Sequence, residues 1–191
     1  MKKIRGAEAV VEIREEEVVK ERRSKNYRHP ELDERLKDER TEIELKLIKE
    51  AGKYGVNVPD VQEKDGKIKM EKVEGTPLKK GLEDEVSVME RMGRNVARLH
   101  SADIIHGDLT TSNALHDGGT VSIVDFGLSF RSERLEDRAV DIHLLKQVLE
   151  SSHPEISEEA WEKFVEGYRE LEESGDVLEQ LKEVEQRGRY K

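Results

Sequence analysis

A chain of 191 residues with net charge −10 and 41% charged side chains has room for one domain, or for two small lobes around a shared core, and its acidic total excludes a protein that coats nucleic acid through global charge. The absence of cysteine excludes disulfides, thiolate catalysis and cysteine-ligated zinc. No run approaches the roughly 18 apolar residues of a membrane span and no signal peptide precedes the first strand, so a cytoplasmic protein is expected. The 48 Leu, Ile, Val and Phe residues must build a thin core, and their spacing says where. Val10, Val11 and Ile13, then Val18 and Val19, read as strands within the first 23 residues, punctuated by Gly6 and the charged turn Glu15–Glu16. A basic stretch runs from Lys20 to Arg28 and ends at His29–Pro30. Leu32, Leu36, Ile43 and Leu47 predict a helix over 31–52, with Gly52 as its stop. Strands follow near 58–62 and 67–70, with an Asp65–Gly66 turn at the entry to the second. Gly75 and Pro77 mark a break.

Beyond the break the pattern is mostly helical. Leu82, Val86, Met89, Gly93, Val96 and Leu99 form one stripe. Ile104–Ile105 and Val121–Val124 are short apolar strands around a polar loop. Helical patterns cover 137–150, 157–173 and 176–187. Trp161, Phe164, Val165, Tyr168 and Leu171 are expected in helix core, and His29, His100, His143 and His153 in structural or surface positions. The fold class is α+β: a β-rich N-lobe over 1–73 with one long helix, a helical C-lobe over 74–191, and a cleft between them.

The chemistry sits on that polar loop. His106-Gly107-Asp108 is followed by Asn113, and twelve residues later by Asp125-Phe126-Gly127. The pattern is H-x-D-x-x-x-x-N followed by D-F-G. Phosphoryl transfer needs these types at this spacing. One carboxylate accepts the acceptor hydroxyl's proton. An amide oxygen and a second carboxylate hold a magnesium ion against the phosphates. Alone, Asp108 and Asp125 each read as turn aspartates; in order, on loops beside short strands, they read as a site.

These motifs resemble the protein-kinase superfamily, and the resemblance implies a minimal bilobal protein-kinase-like fold with ATP and Mg2+ as cofactors. It assigns Asp108 as catalytic, Asn113 and Asp125 as metal and cofactor ligands, and Lys20 as the strand lysine that grips the phosphates. Among Glu42, Glu44 and Glu50, Glu44 is the preferred helix partner of Lys20; otherwise it is an exposed partner of Arg40. The loop Gly6-Ala7-Glu8-Ala9 stands where kinases carry three glycines, so Gly6, Ala7 and Glu8 are cofactor-binding candidates covering the phosphates less completely. Glu71 and Val73 lie where a hinge offers main-chain groups to adenine.

A narrower resemblance rests on Gly6–Ala9, Val19–Arg22, Lys25-Asn26-Tyr27-Arg28-His29-Pro30-Glu31-Leu32-Asp33, Arg40-Thr41, Asp137–Asp141 and the end Arg187-Gly188-Arg189-Tyr190. These segments look like the PRPK-type small serine/threonine kinases of the KEOPS complex. That resemblance implies autophosphorylation or ATP hydrolysis and support of tRNA N6-threonylcarbamoyladenosine synthesis. The implied partners are the threonylcarbamoyl-transferase subunit and further KEOPS subunits, with indirect or local tRNA contact and no membrane.

Three departures from ordinary kinases stand out. Gly107 replaces the Arg that pairs with a phosphorylated loop. Thr110 replaces a Lys near the γ-phosphate. Asp141 lies only 16 positions after Asp125, with no Ala-Pro-Glu between them, so the peptide-docking platform is missing or tiny. The acidic charge also has an address. Residues 150–186 carry 13 acidic and 3 basic side chains, residues 1–50 are neutral, and the last five residues carry three basic groups. Arg187, Arg189 and Tyr190 read either as a cationic helix end or as a partner or tRNA contact. The run Lys20, Arg22, Arg23, Lys25 and Arg28 reads as a solvated loop or a phosphate or partner contact.

Two other classes remain as alternatives. One is a small-molecule phosphotransferase of the aminoglycoside or choline kinase kind, or a RIO-like kinase; the chain looks short for the former, and the Gly6–Ala9 loop looks unlike the latter. The other is a non-catalytic scaffold, against which the joint presence of Lys20, Asp108, Asn113 and Asp125 argues.

Overall fold

The computed structural model describes residues 2–6 and 8–188, and the side chains of 8–187 within the second stretch. β1 (Lys2–Arg5), β2 (Ala9–Ile13) and β3 (Glu17–Arg22) form an antiparallel meander, built on β-branched residues that suit a half-buried pleated surface. Helix α1 (Pro30–Lys53) follows. Pro30 opens it, where its missing N–H costs nothing, and Glu31 and Asp33 complement the dipole of the first turn. β4 (Val61–Lys64) and β5 (Lys67–Glu71) are joined by Asp65 and Gly66, both at positive φ, as a two-residue primed turn requires. β5 inserts between β3 and β4, giving the sheet order β1-β2-β3-β5-β4.

The apolar stripe expected on α1 faces the core only in part: Leu47 is buried and Leu36 half-buried, but Leu32 and Ile43 are not. Leu32 is 41% and Ile43 51% exposed, whereas Asp33, Thr41, Glu44, Leu45, Leu47, Ile48 and Ala51 are buried. The buried face carries two carboxylates, each compensated by cations, and such pairing makes burial tolerable. Apolar periodicity alone therefore misses the carboxylates on the buried face of this helix.

The chain then forms β6 (Thr76–Pro77), α2 (Leu78–Gly81), α3 (Val88–Ser101), β7 (Ile104–Ile105), β8 (Ala114–His116), β9 (Val121–Ile123), β10 (Phe130–Arg131), α4 (Leu135–Ser152), α5 (Ser157–Tyr168) and α6 (Ser174–Gly188). The short strands pair as β6-β8-β9 and β10-β7 and pin the loop between β7 and β8. The helix expected over 157–173 stops at Tyr168, and Leu171 still packs into the core beyond it. One continuous cluster runs from Leu47, Ile48 and Ala51 of α1 through Met92, Val96 and Leu99 of α3 to Phe164 and Tyr168 of α5. Helix α1 of the β-rich half is thus rooted in the helical half.

Helices α3 and α5 touch backbone to backbone. A Cβ on Gly93 would lie 2.1 Å from the Phe164 carbonyl oxygen, and one on Gly167 would lie 1.9 Å from that of Glu90. Neither neighbour is a flexible side chain, so the helices would have to separate. Gly167→Ala is expected to destabilise the fold by about 3 kcal/mol, seen in urea as a lower midpoint at unchanged m-value.

Candidate active site

Strand β3 and helix α1 set the upper wall. Lys20 and Arg22, two residues apart on one strand, point to the same face. The Lys20 ammonium donates to Glu44 Oε1 at 2.5 Å and to Asp125 Oδ1 at 2.7 Å. Glu44 is therefore buried against Lys20 rather than paired with Arg40 on the helix surface. Arg22 donates to the other Glu44 oxygen at 2.5 Å and is itself buried.

The loop between β1 and β2 is tied down. Gly6 N–H donates to Ala9 O at 2.9 Å, and Arg23 Nη1 to Gly6 O at 3.2 Å. The Glu8 carboxylate meets Lys25 at 2.9 Å and Arg40 at 3.0 Å, so its side chain is committed to these cations. Ala7 lies outside the described residues. On the connecting segment, Glu71 N–H donates to Asp60 O at 2.9 Å and Lys72 N–H to Glu16 O at 3.2 Å, while Val73 is half-buried.

The lower wall is the loop after β7. Asn113 donates from Nδ2 to Asp108 Oδ2 and to Asp108 O, both at 2.9 Å. That leaves the Asn113 carbonyl oxygen as its available end. His106 is fully buried. Its Nε2 donates to Val124 O at 3.2 Å and its Nδ1 lies 3.3 Å from the Asp108 amide nitrogen. Its edge contacts Phe126, with ring centroids 5.0 Å apart. One imidazole thus joins both motifs.

Asp141 of α4 anchors the loop from below. It accepts N–H bonds from His106 at 2.8 Å and Gly107 at 2.9 Å, and lies 3.2 Å from His100 Nε2, whose other nitrogen meets the Tyr168 hydroxyl at 2.7 Å. Burial pushes the Asp141 carboxyl up, and His100, His106 and the N–H donors outweigh it, holding it below the usual aspartate range. Gly107 has φ +78°, and a Cβ there would lie 2.4 Å from Leu128 O. The position that carries Arg in ordinary kinases has no room for a side chain.

Asp125 sits at φ +64° with its side chain half exposed. Partial burial raises its pKa, and the charge and hydrogen bond of Lys20 outweigh that, so the carboxylate stays ionised well into acid. Asp125 and Asn113 together offer hard oxygen ligands. Among the described residues, no cluster of three His, Asp or Glu could hold a metal by itself. This donor set fits Mg2+, which binds through one or two protein ligands together with substrate phosphates.

RIO domain proteins match residues 2–160 of this chain. The chain belongs to the RIO domain family. The contrast drawn from the Gly6–Ala9 loop is thereby corrected: the match includes that loop, so a shortened glycine loop does not set a chain apart from RIO domains. This RIO domain is 43% identical to the KEOPS complex subunit Bud32 of Pyrococcus abyssi, over 91% of this chain and 84% of that protein. It is 47% identical to a probable bifunctional tRNA threonylcarbamoyladenosine biosynthesis protein of Methanospirillum hungatei, over 97% of this chain and 36% of that protein. The chain spans about a third of such bifunctional relatives. In fold it resembles a Rio2 kinase from Chaetomium thermophilum solved with ADP/Mg2+ and phosphoaspartate, at TM-score 0.65 and 16% identity, covering 100% of this chain and 71% of that one. WaaP in complex with acyl carrier protein gives TM-score 0.63 and 15% identity over 97% of this chain and 88% of that one.

Within the RIO domain, sequence reasoning passed over two residues. Arg22 was grouped with the basic run, although its period-2 relation to Lys20 places both on one face. Asp141 received no role; a carboxylate in the middle of a buried helix face was its only signal. At the C-terminus, Arg187 folds back onto Glu136 at 2.8 Å, and Arg189 and Tyr190 lie outside the described residues. Among the described residues no helix is long and apolar enough to cross a membrane.

Proposed function

We propose that this RIO domain is the ATP-dependent serine/threonine kinase or ATPase subunit of a KEOPS complex. In that reading it supports tRNA N6-threonylcarbamoyladenosine formation through the threonylcarbamoyl-transferase subunit. The observation that carries the reading is the meeting of Lys20, Glu44 and Asp125 within hydrogen-bond distance, in a chain 43% identical to Bud32.

Each side chain then has a task. Lys20, steadied by Glu44, grips the α- and β-phosphates. Asp125 and the Asn113 carbonyl would hold magnesium, which supplies charge neutralisation at the phosphates when bound. Main chain near Gly6 and Glu8 covers the phosphates, and main chain at Glu71 and Val73 meets the adenine edge. Asp108, held by Asn113, faces the acceptor hydroxyl or water. The acceptor oxygen forms its bond to the γ-phosphorus, the bond to the β-γ bridging oxygen breaks, and the acceptor proton passes to Asp108. Arg187, Arg189 and Tyr190 form the partner or tRNA contact. The division into lobes at 73/74 and a cytoplasmic setting belong to the same proposal.

The test is turnover of labelled ATP by the purified protein, alone and with the transferase subunit, and tRNA modification by the reconstituted complex. Wild type is expected to autophosphorylate or to release phosphate, and Asp125→Ala to do neither. A wild type inert in both settings ends the enzyme reading. Full tRNA modification by the Asp125→Ala complex ends the proposed role in modification.

A further inference from the structure

Lys20 serves two carboxylates at once, Glu44 and Asp125. Together with Arg22 they form a set of two cations and two anions. The Lys20 and Arg22 side chains are 8% and 6% exposed, and Glu44 is 2% exposed. The two oxygens of Glu44 are divided: Oε1 to Lys20 and Oε2 to Arg22. Arg22 Nη2 also reaches the carbonyl oxygen of Arg40 at 3.4 Å, one helical turn before Glu44. One nitrogen at the end of β3 therefore touches α1 at two successive turns.

The arrangement is expensive. Arg22 Nε is buried with no hydrogen-bond partner among the described residues, and such orphaned donors are rare in native interiors. A buried ion pair is a poor way to gain stability alone, because apolar residues of similar volume commonly do as well. Its position suggests another reason. When Lys20 turns toward phosphates, a Glu44 with no second cation would be a buried carboxylate with a weakened partner.

We infer that Arg22 is a positioning residue, which holds the outer oxygen of Glu44 and keeps α1 against β3 while Lys20 engages the nucleotide. This rests on the ATP-using reading above for its catalytic consequence, and on the ion-pair geometry of Lys20, Arg22 and Glu44 for its structural one. Helix α1 is then set in place by a residue of the same domain, independently of loop phosphorylation.

The test is a double-mutant cycle with Arg22→Met, Arg22→Lys and Glu44→Gln. Four quantities are read: kcat and KM for ATP, affinity for MgADP, and hydrogen exchange of α1 amides over 41–48 in protein without added nucleotide. Arg22→Met is expected to lower kcat about tenfold while KM changes less than about threefold, the signature of a misplaced group rather than lost binding. Exchange over 41–48 should quicken, and Arg22→Lys should restore most of both. In the Glu44→Gln background, Arg22→Met should add less than about twofold, since the partner is already gone. An equal effect of Arg22→Met in both backgrounds, or unchanged exchange over 41–48, overturns the inference. Should Arg22→Met fail to fold, the cycle of Arg22→Gln with Glu44→Gln decides by the same criteria. Should wild type show no turnover, the function reading fails, and exchange and MgADP affinity still decide the role of Arg22.

Discussion

Asp108→Asn is expected to slow phosphoryl transfer from ATP about a thousandfold while nucleotide affinity stays within about twofold. The substitution keeps the shape of the side chain, and its amide oxygen can still accept the Asn113 Nδ2 bond. It removes only the capacity to take a proton. No hydrogen bond joins Asp108 to Lys20, Glu44 or Asp125 among the described residues, so the phosphate-gripping set is untouched. Single-turnover phosphate release and MgADP titration separate the two effects. A variant within tenfold of wild type would remove Asp108 from the role of base.

Asp141→Ala is expected to cost about 3–5 kcal/mol, a large share of the margin by which most domains are folded. Two backbone N–H groups at His106 and Gly107 would lose their acceptor, and His100 would lose its carboxylate. Water has no easy way in, because His100, His106 and Asp141 are all almost wholly buried. The pH dependence has a definite sign. The Asp141 carboxyl titrates lower in the folded protein than in the unfolded chain. Its contribution is therefore complete above the ordinary aspartate value of about 4 and drains away as pH falls below it. Wild type and variant should converge in stability toward strong acid, measured by denaturant titration at each pH. A constant gap across that range would show that the loss comes from packing alone.

The site was legible where its chemistry is contiguous. His106 to Asn113 and Asp125 to Gly127 are short loops whose residue types have few other uses in that order, and in the structure the His106 ring links the two. Lys20 followed from its place on the third strand. The apolar pattern of α1 places Leu47 inside, but it misses that Leu32 and Ile43 are exposed while the carboxylates of Asp33 and Glu44 are buried. Hydrophobic periodicity records where apolar groups are, not which ion pairs a distant strand supplies. Arg22 was hidden for the same reason, since its partner lies 22 residues away and only the packed helix brings it close. The absence of Arg before Asp108 was read as loss of a phosphate receptor. The structure adds a steric cause, the Leu128 carbonyl pressed against Gly107.

The backbone contact between α3 and α5 has a mechanical consequence. Side-chain interfaces absorb small displacements by exchanging rotamers, but a glycine seam has no side chains to rearrange. The two helices must therefore move as one body. Because α3 runs directly into β7 and the loop bearing Asp108, that body is the anvil against which the site is set. Any displacement at the site must be taken up outside this seam.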